Sequence, residues 1–278
     1  MHTIAEALKE AENTLCSHDA PALDAQVLLS HVLRRPRSFL MAWPDRALSP
    51  AQRAQFERLV AARAAGQPVA YLTGRREFWS LPLAVTDATL IPRPETELLV
   101  ERALVRMTAR GGTAADLGTG SGAVALALAS ERPDWQLVAT DTSDAALAVA
   151  LANARRLELD NVAFRAGSWC AALGDERFAV IVSNPPYVRT NDPHLRQGDV
   201  RFEPRDALVS GAAGLDAIRH IGACACAHLE RGGWLLLEHG ADQGTEVAAL
   251  LRELGYRQVC GHSDLAGRDR VTEGRWRP

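Results

Sequence analysis

From residue 95 onward, short apolar segments alternate with stretches long enough to form a helix. Five of these segments have the length and the apolar content of buried strands: 114–117, 137–141, 162–166, 179–183 and 234–238. A strand, a helix and a second strand at this spacing form a βαβ unit, which requires a parallel sheet covered by helices on both faces. We therefore predict an α/β fold with a mostly parallel sheet.

The C-terminal tail follows a different pattern. Two strand-like segments flank Ala266 and Gly267, and the stretch between them is too short for a crossover helix. Strands joined by a tight turn pair antiparallel. The tail is therefore expected to add an antiparallel hairpin to the sheet.

The N-terminal part indicates a separate helical bundle over residues 1–70. Thr3 and Glu6 have the spacing of a capping box, and Ser49, Pro50 and Gln52 mark the start of a third helix. Residues 71–95 are rich in glycine, proline and β-formers, and predict a hairpin linker. The sheet domain is expected to occupy residues 96–278.

Charge and hydropathy exclude two broad classes of protein. The formal net charge is −3, which argues against a protein held on nucleic acid mainly by phosphate contacts. No apolar run approaches the ~18–20 residues that span a bilayer, and Glu6, Lys9 and Glu10 occupy the place where a signal peptide needs an apolar core. We expect no membrane association and no stable nucleic-acid binding.

The five cysteines favour a cytoplasmic location. Their number is odd and none forms a C-x-x-C pair, so we expect reduced thiols. A metal site is not predicted either, because His220 and His228 on one helix lie ~12 Å apart along its axis.

A glycine loop follows the first strand of the sheet. Gly118, Gly120 and Gly122 allow close backbone approach to a ligand, and Asp141 ends the next strand, where a carboxylate meets ribose hydroxyls in nucleotide-binding sheets. Asp116, just before the loop, would repel a pyrophosphate but attract the sulfonium or ammonium of S-adenosylmethionine. The loop therefore favours this methyl donor over a dinucleotide, whose loose fingerprint it also fits.

The fourth strand ends in the segment SNPPY. Asn184 has an amide acceptor and donor, Pro185 and Pro186 add carbonyl acceptors on a fixed bend, and Tyr187 adds a flat apolar surface. Together they predict an acceptor-rich clamp for a planar –NH₂ group. Because Asn184 does not titrate, its ionisation is not expected to control activity.

These motifs resemble those of the protein-glutamine methyltransferases that act on peptide chain release factors. The resemblance extends from Tyr71 to Gly240, and its specific part is the order of IPRPETE, NPPY and FEP. It implies a Rossmann-like, seven-stranded methyltransferase sheet and an N-terminal helical domain that helps to recognise the release factor. It also implies methylation of the glutamine amide in the Gly-Gly-Gln motif of that factor.

The resemblance also implies roles for individual residues. The loop of Gly118, Thr119, Gly120, Ser121 and Gly122 lines the methionine part of S-adenosylmethionine. Asp141 holds the ribose, and Trp169, which by itself could equally be a packing residue, lies by the adenine. Asn184 touches cofactor and substrate, while Pro185, Pro186 and Tyr187 shape the glutamine slot. Arg93, Glu97 and Glu203 either order the rim of the site or form surface salt bridges.

Two other functions fit the sequence. NPPY also occurs in methyltransferases of adenine N6 in DNA or RNA, which capture an exposed base. A non-catalytic binding module could retain the same fold. No long apolar face indicates an obligate oligomer, so a monomer is expected.

Overall fold

The computed structural model describes residues 2–277, which form two compact units. The first contains residues 2–75 together with Arg196–Phe202. The second contains Arg76–Leu195 and residues 203–277. The ranges 1–70, 71–95 and 96–278 remain a prediction from the sequence.

The first unit is a small helical bundle. The predicted capping box at Thr3 is confirmed, and the predicted helix start at Ser49 also forms one, with each side chain accepting from the third helical N–H. Ile4, Leu15, Leu28 and Leu29 are fully buried at its centre. Its helices are α1 (Ile4–Thr14), α2 (Pro21–Leu33), α3 (Arg37–Ala42), α4 (Pro50–Ala64) and α5 (Val69–Thr73).

A buried arginine joins a distant segment to this bundle. Arg63 of α4 is only 8% exposed, and its guanidinium contacts Asp24 of α2 at 2.7 Å and Asp199 at 2.6 Å. Removing either carboxylate would leave a buried charge without one partner, which is strongly destabilising. This ion-pair group explains why residues 196–202 belong to the helical unit.

The second unit contains a two-stranded and a larger sheet. Strands β1 (Arg75–Phe78) and β2 (Leu81–Ala84) form the small hairpin. The larger sheet is built from β3 (Gly112–Leu117), β4 (Trp135–Asp141), β5 (Val162–Ala166), β6 (Phe178–Ser183), β7 (Leu229–Glu238), β8 (Arg257–Ser263) and β9 (Asp269–Arg275). Within residues 2–277 this sheet has seven strands in the order β5-β4-β3-β6-β7-β9-β8.

The strand directions agree with the prediction. Strands β5, β4, β3, β6 and β7 pair parallel, whereas β9 pairs antiparallel with both β7 and β8. The helices around this sheet are α6 (Glu97–Arg106), α7 (Ala123–Glu131), α8 (Asp144–Arg156), α9 (Asp216–His228) and α10 (Gly244–Glu253). The fold is thus a mostly parallel α/β sheet with an antiparallel C-terminal hairpin, as expected from the sequence.

Alternate residues of the central strands bury opposite faces of the sheet. Ile181 of β6 packs in the cluster that contains Ile218 and Val247, and Val182 packs in the cluster that contains Leu99 and Leu126. Burying each such side chain contributes roughly 1.5–3 kcal/mol. Because both faces are covered, the ligand sites of this sheet are confined to its edge.

The strand order positions the site. The chain passes from β3 outward through β4 to β5, then crosses back to place β6 on the other side of β3. Ligands of open α/β sheets bind beyond the carboxyl ends of the strands, at the point where the order reverses. The glycine loop after β3 and Asn184 after β6 therefore flank one crevice.

A disulfide corrects the prediction of reduced thiols. Cys170 is bonded to Cys224 of α9, whose Cα lies 6.1 Å from that of Cys170. The pairing was not predictable because the two residues are 54 positions apart and belong to no motif. Cys16, Cys226 and Cys260 are free thiols.

The lengths and polarity of the helices decide whether any of them could cross a membrane. Across residues 2–277, each helix is too short or too polar to cross a bilayer.

Candidate active site

The glycine loop is held against the end of β4. The backbone N–H groups of Gly118 and Thr119 donate to the carbonyl oxygen of Thr140, at 2.8 and 2.9 Å. Gly118, Gly120 and Gly122 have φ values of 77°, 56° and 85°, a region that glycine adopts without steric cost. The three glycines are therefore required by the path of the loop itself, and their predicted close approach to a ligand stays a prediction.

Asp116 lies beneath this loop instead of facing a ligand. Its carboxylate is 2% exposed and accepts from the Thr119 hydroxyl at 2.7 Å and from the Ala125 N–H at 3.2 Å. Burial raises the pKa of Asp116 to about 6. The expectation that Asp116 directly attracts the positive charge of the methyl donor is therefore wrong. Its carboxylate instead connects the loop to the first turn of α7 by hydrogen bonds.

Asp141 closes the other side of the loop. One carboxylate oxygen accepts from the Gly120 N–H at 2.9 Å, and the other accepts from the Ser143 N–H at 2.9 Å. An ionised carboxylate has about four acceptor positions, so acceptor capacity remains for hydroxyl groups of a ligand.

Trp169 stands opposite Gly118. Its φ of 47° is unusual for a non-glycine residue, and such conformations persist where the surrounding structure imposes them. A Cβ built on Gly118 would lie 2.8 Å from a ring carbon of Trp169. The indole thus packs directly over the glycine loop.

A cavity of about 460 Å³ opens beside these residues, within the usual range of ~300–1,000 Å³ for small-molecule sites. The structure brings six of the predicted site residues to its wall: Gly118, Gly120, Asp141, Trp169, Asn184 and Pro186. The side chains of Thr119 and Ser121 are buried in the protein, and a Cβ on Gly122 would meet Leu126 and Ala150.

Several wall residues were not identified from the sequence, among them Thr142, Ser143 and Ala146. Residues 87–90 and the group Pro204, Asp206 and Ala207 also line the cavity. The first is an irregular turn without periodicity. The second begins with Pro204, the last residue of the FEP motif, in which only Glu203 was given a role.

Asn184 is held by a hydrogen bond from its amide nitrogen. Nδ2 donates to Oγ1 of Thr96, the residue before α6, at 3.2 Å. This bond leaves Oδ1 as the side-chain acceptor that is available to a ligand. Pro185 beside it is buried.

Tyr187 contacts a buried carboxyl group. Its hydroxyl donates to Oε1 of Glu238 at 3.3 Å. Burial, with a smaller effect of Glu95, raises the pKa of Glu238 to about 7, and burial also raises the pKa of Tyr187. Sequence reasoning missed Glu238 because only the register of β7 brings it next to the NPPY segment.

Glu203 has a buried structural role. Its carboxylate accepts from the Ile91 N–H at 3.0 Å and pairs with the Arg93 guanidinium. The Glu203 side chain is fully buried, which rules out the alternative of a surface salt bridge for this pair. Glu97 instead accepts from the Trp79 N–H at 2.9 Å.

Comparison with known proteins identifies the family. Residues 6–74 match the family model described as the PrmC N-terminal domain, and residues 94–199 match the methyltransferase small domain. The release factor glutamine methyltransferase of Vibrio cholerae is 53% identical to this chain over 99% of the chain and 97% of that protein. The chain belongs to the release factor glutamine methyltransferase family.

Further relatives agree with this assignment. The release factor glutamine methyltransferase of Xylella fastidiosa strain Temecula1 is 55% identical over 91% of this chain and 92% of that protein. A methyltransferase structure from Pyrococcus furiosus aligns with a TM-score of 0.53 at 18% identity, over 80% of this chain and 98% of that one. That structural likeness concerns the fold alone. Membership of a methyltransferase family supports the use of S-adenosylmethionine in general.

Proposed function

We propose that this protein transfers a methyl group from S-adenosylmethionine to the side-chain amide nitrogen of the glutamine in the Gly-Gly-Gln motif of release factors. The observation that carries the proposal is the Asn184 amide, fixed by Thr96 at the wall of the cavity that Gly118 and Asp141 also line. Family membership supports the same reaction.

The residues of the cavity fit the methyl donor. A Cβ on Gly120 would meet no protein atom within 4 Å, so the loop leaves open space where a ligand approaches the backbone. The spare acceptor positions of Asp141 suit ribose hydroxyls, and the indole of Trp169 offers a flat surface for an adenine ring. When bound, the cofactor supplies an electrophilic methyl group on a sulfonium.

The NPPY segment provides acceptors for a primary amide. Such an amide nitrogen carries two N–H groups and is a weak nucleophile, because its lone pair is delocalised into the carbonyl. Oδ1 of Asn184 and the carbonyl oxygen of Pro185 would each accept one N–H, which orients the nitrogen towards its electrophile. Orientation of this kind can supply up to ~7–11 kcal/mol of barrier lowering.

The amide nitrogen does not need to be deprotonated by a strong base before it attacks the methyl group. After the N–CH₃ bond forms, the nitrogen carries a positive charge and is acidic. It then loses a proton readily to water or to a nearby carboxyl group. The absence of a titratable group at position 184 is consistent with this order of events.

The test compares methyl acceptors. The protein is incubated with labelled S-adenosylmethionine and either purified release factor or single- and double-stranded nucleic acid. We expect label on the release factor only. Label on nucleic acid and none on the release factor would favour the adenine N6 alternative, and cofactor binding without any transfer would favour a binding module.

Asn184→Ala tests the clamp in the same assay. The variant is expected to retain measurable binding of S-adenosylmethionine, while kcat falls by about 100-fold or more because the amide nitrogen is no longer oriented. Turnover close to that of the unsubstituted protein would contradict the role of Asn184.

A further inference from the structure

Three polar side chains lie behind Asn184. Thr96 comes from the turn before α6, Tyr187 from the loop after β6 and Glu238 from the end of β7. Thr96 is 3% exposed and Glu238 is fully buried. Buried polar groups need hydrogen-bond partners, so the directions of the bonds within this group determine which atom of Asn184 is left for a substrate.

Thr96 has an unusual role for its position. A threonine at the start of a helix ordinarily accepts a hydrogen bond from the first helical turn, but the Thr96 side chain makes no such cap. Its Oγ1 instead accepts from Nδ2 of Asn184. The hydroxyl therefore keeps its own hydrogen to donate elsewhere.

Glu238 is the candidate acceptor for that hydrogen, because its buried Oε2 lacks a partner among residues 2–277. The Thr96 hydroxyl acts on the Glu238 carboxyl and lowers its pKa, whereas Oε1 already accepts from Tyr187. Among residues 2–277, Oε2 has no partner of full hydrogen-bond geometry. A buried acceptor of this kind needs a donor, and the Thr96 hydroxyl is the one whose hydrogen is not yet used. An ionised carboxylate can only accept.

We propose that Thr96 and Glu238 are positioning residues that fix the orientation of the Asn184 amide. Because Glu238 accepts from Thr96, Thr96 accepts from Nδ2 of Asn184, and Oδ1 is left for the substrate. With the amide reversed, Nδ2 would meet the NH₂ group of the substrate, donor against donor. This inference rests on the proposed function, in which the substrate is a primary amide.

The orientation should depend on pH. Glu238 is faced by Tyr187, Thr96, Glu95 and Arg270; burial and Glu95 raise its pKa to about 7, against the opposing effects of Thr96, Tyr187 and Arg270. Below that pH the protonated carboxyl can donate to Thr96 and compete with Nδ2 of Asn184. The kcat value is therefore expected to rise as pH increases through 7.

Substitutions of Thr96 provide the first test, with intact release factor as substrate. In Thr96→Val we expect kcat to fall roughly 10- to 100-fold, the range of a lost orienting contact, with unchanged KM and unchanged affinity for S-adenosylmethionine. Thr96→Ser restores the hydroxyl and should restore most of kcat. Thr113→Val, whose hydroxyl bonds to Arg177 at the far end of β3, is the matched control and should behave as the parent.

Glu238→Gln provides the second test because it removes ionisation while keeping one acceptor. Its kcat should no longer change with pH around 7. Independently of activity, the ¹⁵N side-chain amide signal of Asn184 should titrate near pH 7 in the parent protein and stay constant in Glu238→Gln.

The outcomes separate this inference from the proposed function. If the parent methylates no glutamine, the proposed function fails, and the amide signal still tests the orientation. If the parent is active but Thr96→Val matches it in kcat, the inference is overturned. A titration of the Asn184 signal that persists in Glu238→Gln would also overturn it.

Discussion

At the scale of single residues, the site depends on close contacts that restrict the backbone of the glycine loop. Gly118 faces the indole of Trp169, and Asp141 holds the N–H of Gly120. Each contact restricts a glycine, a residue whose backbone can otherwise adopt many conformations. These contacts restrict the cavity wall, and a restricted site lowers the entropy cost of binding.

Gly118→Ala should weaken cofactor binding. The added methyl group would lie 2.8 Å from the Trp169 ring, and the φ of 77° is unfavourable for alanine. Overpacking of this kind costs about 1–3 kcal/mol, so the Kd for S-adenosylmethionine, measured by calorimetry, should rise about tenfold.

Gly261→Ala is the control for this substitution. Gly261 is exposed on β8, and a Cβ there meets no atom within 4 Å. Its Kd should equal that of the parent. A Gly118→Ala Kd equal to the parent would contradict the packing of Trp169 over the loop.

At the scale of elements, the strand ends bring the functional side chains together. The periodic alternation of strands and helices was enough to predict that Asp141 and Asn184 lie at one edge, because the carboxyl ends of parallel strands share an edge. The partners of these residues were not predictable in the same way. Asn184 meets Thr96 across 88 positions and Tyr187 meets Glu238 across 51, and such pairings follow from helix docking and strand register, which have no local signature.

The disulfide is also a feature of elements, since it joins the turn after Trp169 to α9. Closing a loop of this length restricts the unfolded chain and typically stabilises by about 2–4 kcal/mol. We expect urea unfolding of the oxidised protein to occur at higher denaturant concentration than unfolding in the presence of a thiol reductant.

Cysteine variants sharpen that comparison. Cys224→Ser should unfold at the same urea concentration with and without reductant, whereas Cys260→Ser, which replaces an exposed free thiol, should retain the difference. Identical transitions of the oxidised and reduced parent would contradict a stabilising bridge.

At the scale of the whole molecule, stability should depend on buried carboxyl groups. Burial raises the pKa of Glu238 from 4.5 to about 7 and that of Asp116 from 3.8 to about 6. A raised folded-state pKa means that the folded protein prefers the neutral form. The resulting stability is fully present below pH ~4 and is lost as pH rises through about 6 to 7.

Unfolding measured at pH 5 and pH 8 tests this dependence. Glu238→Gln should remove about 2–3 kcal/mol of the decrease in unfolding free energy between these values. Glu230→Gln, on the exposed start of β7, should leave the decrease unchanged. Equal pH dependence in both variants would contradict an unfavourable buried charge at Glu238.

The central claim concerns which atom receives the methyl group. Intact release factor is incubated with the protein and S-adenosylmethionine, digested, and analysed by tandem mass spectrometry. We predict one added methyl group on the side-chain nitrogen of the glutamine in the Gly-Gly-Gln motif, and a far smaller methylated fraction with Asn184→Ala after the same incubation time. A methyl group on any other residue, or equal methylation by Asn184→Ala, would contradict the account.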